Sequence, residues 1–159
     1  MPKLLMISTI PATLRTFFIP FARYFRARGW QVDGMASNIS TCSECVEAFD
    51  RVWDIEWSRN PLDFKNLLVA PAKLRGIVST HQYDVVHVFT PIAAFVTRFA
   101  LSSLKKTAKP KVIYTALGFR FYRGEKLLKN AIFLSLEKLA GNWTDYLIVI
   151  NKEDEDAAK

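Results

Sequence analysis

Aromatic and arginine side chains alternate in the segment FRFYR, residues 119–123, which directly follows a run of strand-forming residues. The planar guanidinium group of arginine binds phosphate through paired hydrogen bonds and stacks on aromatic rings. Gly118, which precedes the segment, permits a tight turn or a close approach of the backbone to a ligand. These residue types predict a binding loop for a phosphorylated ligand, with Arg120, Tyr122 and Arg123 as its functional members.

Two further arginines follow strands or lie in loops: Arg15 comes after the first predicted strand, and Arg59 lies in the segment WSRNP. The net charge is +7, and the first 30 residues hold basic side chains without any acid, at Lys3, Arg15, Arg23, Arg26 and Arg28. A polarised basic surface predicts a partner that carries phosphate: a nucleic acid, an anionic lipid surface or a phosphorylated substrate. Nucleic acid is not expected, because no recognisable reading motif accompanies the charge. The simpler alternative is a solvated face with scattered arginines.

Motifs for self-contained catalysis are missing from the sequence, which has no GxGxxG, GxxxxGKS/T, GxSxG or HExxH pattern. Cys42 and Cys45 form a CxxC, but a zinc site needs about four ligands, and neither His81 nor His87 is close to them in the sequence. A redox CxxC usually opens a helix, whereas this one falls in a predicted polar loop. Ordinary loop thiols are therefore the preferred interpretation, and neither a metal nor a cofactor is predicted.

Apolar runs alternate with segments of helical periodicity along the whole chain. Strands are predicted at residues 4–10, 31–36, 51–57, 84–90, 112–116 and 146–150. Helices are predicted over residues 14–28, which kink or begin at Pro20 and end at Gly29, over 61–80 with a kink at Pro71, from 91, over 125–141 and from 152. This alternation predicts a Rossmann-like, doubly wound α/β fold, a parallel sheet with helices on both faces.

Ligands of such sheets bind outside the carboxyl ends of the strands, near the point where the strand order reverses. This rule selects the loops that follow the predicted strands, at residues 8–14, 37–38, 90–91, 117–123 and 151. The FRFYR segment falls inside one of these loops, which agrees with its prediction as a binding loop.

A single domain is predicted over residues 1–159, because a chain of this length can bury an adequate core without disulfides or metal. No apolar run approaches the roughly 18 residues that span a bilayer. The first residues, MPKLLMISTIP, are interpreted as a strand rather than a signal peptide, so a cytoplasmic location is the expectation. The sequence stops at Lys159 in the first turns of a predicted helix, which suggests a fragment of a longer chain.

Five stretches of the chain together resemble the amino-terminal domain of family 4 glycosyltransferases, especially the branch that makes bacterial capsules and exopolysaccharides. They are STIPATLRTFFIPFARYFRARGWQVDGMA, VWDIEWSRNPLD, YDVVHVFTPIAAFVTRFAL, VIYTALGFRFYRG and EKLAGNWTDYLIVINKEDEDAAK. The resemblance implies the GT-B architecture of two facing Rossmann-like domains, of which this chain is one half. It also implies a retaining transfer of a sugar from a nucleotide-sugar to a saccharide acceptor that is often lipid-linked.

The same resemblance assigns the acceptor to this domain and the nucleotide-sugar donor to a carboxy-terminal domain, so the 159 residues alone are expected to be inactive. The expected partners are a saccharide or lipid-linked saccharide acceptor, an anionic membrane surface and that carboxy-terminal domain, at the cytoplasmic side of the inner membrane. The residues expected to bind the acceptor are Thr9, Arg15, Arg59, His87, Thr90, Gly118, Arg120, Tyr122 and Arg123.

The sequence departs from this family at positions that usually hold histidine. In HVFTP, Phe89 takes one such position while His87 is kept, and in YTALGFRFY, Leu117 and Arg120 take two more. The histidine expected at Leu117 lies beside the reacting sugar, and leucine can neither donate a hydrogen bond nor exchange a proton. Two hypotheses follow: a transferase that positions its sugars without this imidazole, or a non-catalytic homologue that acts as a binding or scaffold protein at the membrane.

Overall fold

The computed structural model describes residues 1–58, 63–104, 110–117 and 127–158. Within these ranges, six strands form one sheet in which all neighbouring strands are parallel. The strands are β1 (Lys3–Ile7), β2 (Gln31–Ala36), β3 (Arg51–Asp54), β4 (Val85–Val88), β5 (Lys111–Ala116) and β6 (Tyr146–Val149). Their order is β3-β2-β1-β4-β5-β6, which is that of a doubly wound Rossmann sheet. The predicted fold class is confirmed.

The helices lie on both faces of this sheet. The described α-helices are α1 (Pro11–Thr13), α2 (Ile19–Arg26), α3 (Ser43–Ala48), α4 (Ala70–His81), α5 (Pro91–Ser102), α6 (Leu127–Gly141) and α7 (Lys152–Ala158). Residues of α2 and α3 join the core on one face, and residues of α4, α5 and α6 join it on the other. Right-handed crossovers require this change of face, because the chain reverses its direction across the sheet after β3. Among the described helices, none is long and apolar enough to cross a bilayer.

The predicted kink or helix start at Pro20 and the predicted kink at Pro71 both coincide with a π-helical turn. Leu14–Phe18 is π-helical and leads into α2, with Pro20 in its first turn, while Lys65–Val69 is π-helical and leads into α4, with Pro71 in its first turn. Proline lacks an amide proton and its ring collides with the carbonyl four residues earlier. The turn before each proline therefore widens to a hydrogen bond over five residues, and the helix continues beyond it.

The prediction of a polar loop around the two cysteines is wrong. A short 3₁₀ turn, Ile39–Thr41, is followed by α3, and Cys42 is the residue that directly precedes the helix. Cys45 and Ala48 lie three residues apart on one side of α3, and both are buried against the sheet together with Phe49. Burial of these apolar side chains stabilises α3. The helical pattern was missed in the sequence because polar residues surround the two buried positions.

Alternation along the central strands sorts the core into two layers. Leu5 and Ile7 of β1 point to the α4–α6 side, whereas Leu4 and Met6 point to the α1–α3 side. On the second side, Phe18 stacks on Phe89, with their ring centroids 3.5 Å apart. That contact fixes the π-helical turn over the end of β4 and so places the loop that follows β1.

Gly34 on β2 is required by close packing. A Cβ atom at this position would lie 2.8 Å from Cδ2 of Phe49 and 3.1 Å from Cδ1 of Ile39. We expect Gly34→Ala to lower the free energy of unfolding by roughly 1–3 kcal/mol, the usual cost of overpacking. Gly76→Ala is the matched control, because nothing lies within 4 Å of its added Cβ and alanine favours a helix by about 0.8–1.0 kcal/mol. Urea unfolding should move the two midpoints in opposite directions, and equal shifts would contradict the packing argument.

Candidate functional site

The loops after β1 and β4 meet at the point where the strand order reverses. β1 and β4 are neighbours in the middle of the sheet, but the chain leaves them towards opposite faces. Thr9 and Thr90 come from these two loops, and their Oγ1 atoms lie 2.7 Å apart. The backbone N–H of Thr9 also donates to Oγ1 of Thr90, over 2.8 Å. Two candidate residues 81 positions apart in the chain are thus held as one half-buried hydroxyl pair.

The threonine pair leaves a helix end without a side-chain cap. Thr90 occupies the N-cap position of α5, but its side chain makes no capping hydrogen bond there. A threonine at this position normally accepts from an amide of the first helical turn. Here the same oxygen contacts Thr9 instead, so the Thr90 side chain leaves the amide groups at the start of α5 uncapped.

His87 lies further down β4, on the same face of the sheet as Phe89. Its Nε2 atom lies 2.8 Å from Oγ1 of Thr115 on β5, and its ring centroid lies 4.3 Å from that of Phe89. Burial lowers the pKa of His87 to about 4. The imidazole is therefore neutral near pH 7 and can either donate or accept at Nε2, according to its tautomer.

Phe89 and Leu117 fill two of the expected histidine positions with apolar side chains. Phe89 is fully buried and is stacked on Phe18, and Leu117 packs against the same cluster after β5. Both substitutions therefore extend the core to the carboxyl edge of the sheet. His87 is the histidine that the described part of this edge retains.

Arg15 is exposed on the π-helical turn after β1. Its Nη1 atom lies 3.7 Å from Oε1 of Glu44 on α3, and about half of each side chain is accessible to solvent. Exposed pairs of this kind contribute about 0.2–1 kcal/mol, so Arg15 can exchange Glu44 for a ligand at little cost. The remaining candidates fall outside the described ranges: Arg59, Gly118, Arg120, Tyr122 and Arg123.

Other polar groups at this edge serve mainly to shape the loops. Ser8 donates to the carbonyl of Ile10 over 2.6 Å, and the backbone N–H of Ser37 donates to the carbonyl of Thr9 over 3.2 Å. Asn151, selected from the sequence because it follows β6, accepts from the backbone N–H of Asp154 over 2.7 Å and so caps α7. Among the described residues, no group of three or more histidine, cysteine or acidic side chains is placed to hold a metal ion.

A groove of about 370 Å³ opens at the carboxyl end of β3, beside the start of α4. Its lining is apolar with a charged rim: Ile55, Glu56, Phe64, Lys65, Val69, Ala70 and Lys73. Lys65 Nζ and Glu56 Oε2 lie 3.0 Å apart at the rim. The groove lies on the face of the sheet opposite to His87.

The half-buried imidazole of His87 predicts a loss of stability in mild acid. His87 titrates near pH 4 in the folded chain and near 6.5 when unfolded, so the unfolded state binds more protons between these values. Its contribution is fully present above about pH 6.5 and falls as pH decreases towards 4, by roughly 2 kcal/mol between pH 7.5 and pH 5. Urea unfolding across this range should show the decline, and His87→Gln should remove that part of it. An unchanged pH profile in the variant would contradict the assignment.

Comparisons with known proteins identify the family of this chain and solved structures with a similar fold. A profile described as "Glycosyl transferase 4-like" matches residues 6–151. A Bacillus subtilis protein named "Putative glycosyltransferase EpsD" is 33% identical over 157 residues, which cover 99% of this chain and 40% of that protein. Sucrose-phosphate synthase from Thermosynechococcus elongatus superposes with a TM-score of 0.70 at 14% identity, over 98% of this chain and 44% of that one. MurG from Acinetobacter baumannii superposes with a TM-score of 0.62 at 15% identity, over 93% of this chain and 41% of that one. This chain therefore spans less than half of each of these proteins.

Proposed function

This chain belongs to the glycosyl transferase 4-like family, and from this membership we propose that it is the acceptor-binding domain of a two-domain, GT-B glycosyltransferase. The complete protein would move a sugar, with retention of configuration, from a nucleotide-sugar to a saccharide acceptor during capsule or exopolysaccharide synthesis. The nucleotide-sugar would bind a carboxy-terminal domain that faces the carboxyl edge of this sheet. The 159 residues alone would then be inactive.

The observation that carries this proposal is the Thr9 and Thr90 hydroxyl pair at the reversal of strand order. Doubly wound sheets bind their ligands at this position. Hydroxyl groups both donate and accept, as the hydroxyls of a saccharide do, and neutral His87 with Thr115 adds another such pair nearby. These two pairs suit an uncharged ligand with several hydroxyl groups. Arg15 and the predicted arginine loop suit a phosphate group attached to that ligand.

The role of these groups would be to position the acceptor. Holding the attacking hydroxyl and the donor in reacting geometry lowers the barrier by removing translational and rotational freedom. Negative charge that develops on the departing nucleotide is neutralised by donors aimed at it, and these would come mainly from the carboxy-terminal domain. Leu117 contributes neither a hydrogen bond nor a proton at this edge.

Leu117 and Phe89 favour a second candidate function. Because both side chains join the apolar core, the edge keeps His87 but lacks two of the imidazoles that the family usually carries there. A non-catalytic homologue that binds a glycan or lipid-linked glycan as a scaffold would keep the binding hydroxyls and lose these groups. The two functions differ in whether the complete protein turns over a nucleotide-sugar.

Sugar transfer by the complete protein tests the first candidate. Radiolabelled nucleotide-sugars incubated with the complete protein and a membrane lipid extract should yield a labelled, solvent-extractable product, whereas the 159-residue chain should yield none. Extracts stripped of lipid-linked saccharides serve as the control for acceptor identity. Transfer by the isolated domain, or the absence of transfer with every donor and acceptor tried, would contradict it.

We also propose that the domain docks on an anionic membrane, at the cytoplasmic face of the inner membrane. Phe17, Phe21 and Tyr24 follow one another at helical spacing and are 56%, 55% and 51% exposed. The guanidinium carbon of Arg28 lies 3.5 Å from the ring centroid of Tyr24, and exposed Arg23 adjoins it in sequence. Aromatic rings with neighbouring arginines are typical of helices that lie at headgroup depth.

Vesicle flotation tests the docking surface. Each basic residue near an anionic bilayer contributes about 1 kcal/mol, so we expect Arg23→Gln with Arg28→Gln to weaken binding by roughly 30-fold. Replacing Phe17, Phe21 and Tyr24 with serine should abolish flotation. The matched control replaces Phe64, Leu68 and Val69 with serine, since these are comparably exposed but lie on another element. Equal flotation with neutral and anionic vesicles would rule out electrostatic docking.

A further inference from the structure

Cys42 and Cys45 are in contact rather than separated by a loop. Their Sγ atoms lie 2.7 Å apart, little more than the bond length of about 2.05 Å in a disulfide. Both cysteines are free thiols. Cys42 is half-buried and reaches solvent, whereas Cys45, on α3, is fully buried in the core.

The local backbone produces this contact. Cys42 is extended, with φ −94° and ψ 100°, and directly precedes α3. The backbone N–H of Val46 donates to the carbonyl of Cys42 over 2.9 Å, which closes the first helical turn around the pair. Cys45 also lies close to the chain after β1, since its Sγ atom is 3.9 Å from the carbonyl oxygen of Pro11. A CxxC that opens a helix in an α/β fold is the arrangement of dithiols that undergo redox exchange.

We propose that Cys42 and Cys45 form a reversible intrachain disulfide, and that a low-molecular-weight disulfide is the oxidant. The observations behind this modification site do not rest on the proposed sugar-transfer function. It replaces the interpretation of these residues as ordinary loop thiols, because that interpretation depended on a loop that the fold does not contain.

The exchange proceeds in two steps that balance. The thiolate of Cys42 attacks one sulfur of the small disulfide, whose S–S bond breaks, and the first small thiolate leaves and takes up a proton. The thiol of Cys45 then loses its proton and attacks the sulfur of Cys42, which releases the second small thiolate. Two protein thiols are oxidised, and one small disulfide is reduced to two thiols.

Accessibility and protonation set the order of these steps. Cys42 is the thiol that solvent reaches, so it meets the oxidant first. Burial, together with the hydrogen bond and charge of Cys42, raises the pKa of Cys45 to about 12. Cys45 therefore stays protonated while Cys42 meets the oxidant. Its Sγ contact with Cys42 makes it the resolving group of the mixed disulfide.

The pair is connected to the candidate acceptor site through Glu44. This residue lies between the two cysteines in sequence, and its carboxylate is the partner of Arg15 at 3.7 Å. Ring closure between Cys42 and Cys45 constrains the first turn of α3, on which Glu44 lies. The redox state of the dithiol thus acts on the position of the carboxylate that Arg15 contacts.

A glutathione titration of the native chain tests the proposal. The folded protein is equilibrated in buffers from fully reduced to fully oxidised glutathione, quenched in acid and alkylated. Its intact mass is then measured by mass spectrometry. We expect one species that is lighter by two hydrogens, carries no alkyl group and returns to the dialkylated mass with dithiothreitol. Dialkylated protein at the oxidised limit, or a disulfide-linked dimer, would overturn the proposal.

Single substitutions identify the attacking thiol in the same buffers. Cys45→Ser should accumulate one glutathione adduct on Cys42, because nothing remains to resolve it. Cys42→Ser should stay unmodified as long as its far-ultraviolet circular dichroism shows it folded, since Cys45 is buried. An adduct on Cys45 in folded Cys42→Ser, or no adduct on Cys45→Ser, would contradict the order of attack. The titration of the unmodified sequence stands even if a variant unfolds.

Discussion

Replacing Arg98 with methionine is expected to lower the free energy of unfolding by about 3–5 kcal/mol, the usual cost of breaking a buried ion pair. Arg98 is only 2% exposed, and its Nη2 atom lies 2.8 Å from Oε2 of Glu137 on α6. Its Nε also donates to the carbonyl of Ala94 over 3.0 Å, and its guanidinium carbon lies 4.4 Å from the ring centroid of Tyr114 on β5. One side chain therefore joins α5, α6 and β5, and its loss leaves a mostly buried carboxylate unpaired.

Guanidinium chloride unfolding with matched variants checks the origin of this cost. A double variant, Arg98→Met with Glu137→Met, should recover most of the stability, because replacing both partners with apolar groups of similar size is often neutral. Lys65→Met is the surface control, since its ion pair with Glu56 is well exposed and should cost less than about 1 kcal/mol. A double variant as unstable as Arg98→Met would show that the loss comes from packing and not from the orphaned charge.

Restoring histidine at Leu117 is expected to raise kcat of the complete protein by about 10²–10³-fold if that protein is a transferase slowed by this substitution. The figure follows from hydrogen-bond donors at catalytic anion sites, whose removal costs about 2.7–4 kcal/mol. Leu117 follows β5 at the carboxyl edge of the sheet and packs partly against the core, so an imidazole there would stand beside the proposed cleft.

Initial rates with a nucleotide-sugar decide between the two candidate functions. Leu117→Met is the control, because methionine conserves volume and adds no hydrogen bond, and it should leave kcat unchanged. If the wild-type protein turns over the nucleotide-sugar as fast as Leu117→His does, the non-catalytic interpretation is wrong. Absence of turnover in both proteins would support a scaffold and contradict the proposed transferase.

The central strands β1, β4 and β5 were predictable because they are mostly buried and therefore appear as apolar runs. The edge strands β3 and β6 are more exposed. The positions of the central strands are therefore encoded locally, but strand ends are not. The strands predicted at 4–10, 51–57 and 84–90 run past the observed ends of β1, β3 and β4 at Ile7, Asp54 and Val88. The doubly wound class follows from the alternation of such runs with helical segments. The helix boundaries after β1 and β3 could not be predicted as well from the sequence. They depend on the π-helical turns, in which each proline changes the pattern of backbone hydrogen bonds.

The contacts that build the site are made between segments that are distant in the sequence. Local sequence patterns therefore do not predict them. Thr115 contacts His87 only because β4 and β5 are adjacent, 28 residues apart in the chain. Arg98 is a single basic residue in the apolar helix α5, and its partner Glu137 is 39 residues away. Thr9 and Thr90 were accessible as candidates because the rule for doubly wound sheets concerns strand ends rather than side-chain contacts. Their functional role stays a prediction.

The most direct test of the acceptor-side assignment is steady-state kinetics of the complete protein carrying Thr90→Val. Valine conserves shape but removes the oxygen that contacts Thr9. Thr97→Val on the same helix is the control, because the Thr97 hydroxyl is buried and finds no hydrogen-bond partner among the described residues. We predict that Thr90→Val raises KM for the saccharide acceptor by about tenfold or more, equivalent to about 1.4 kcal/mol, and leaves KM for the nucleotide-sugar unchanged. An increase in KM for the nucleotide-sugar with an unchanged acceptor KM would contradict the account.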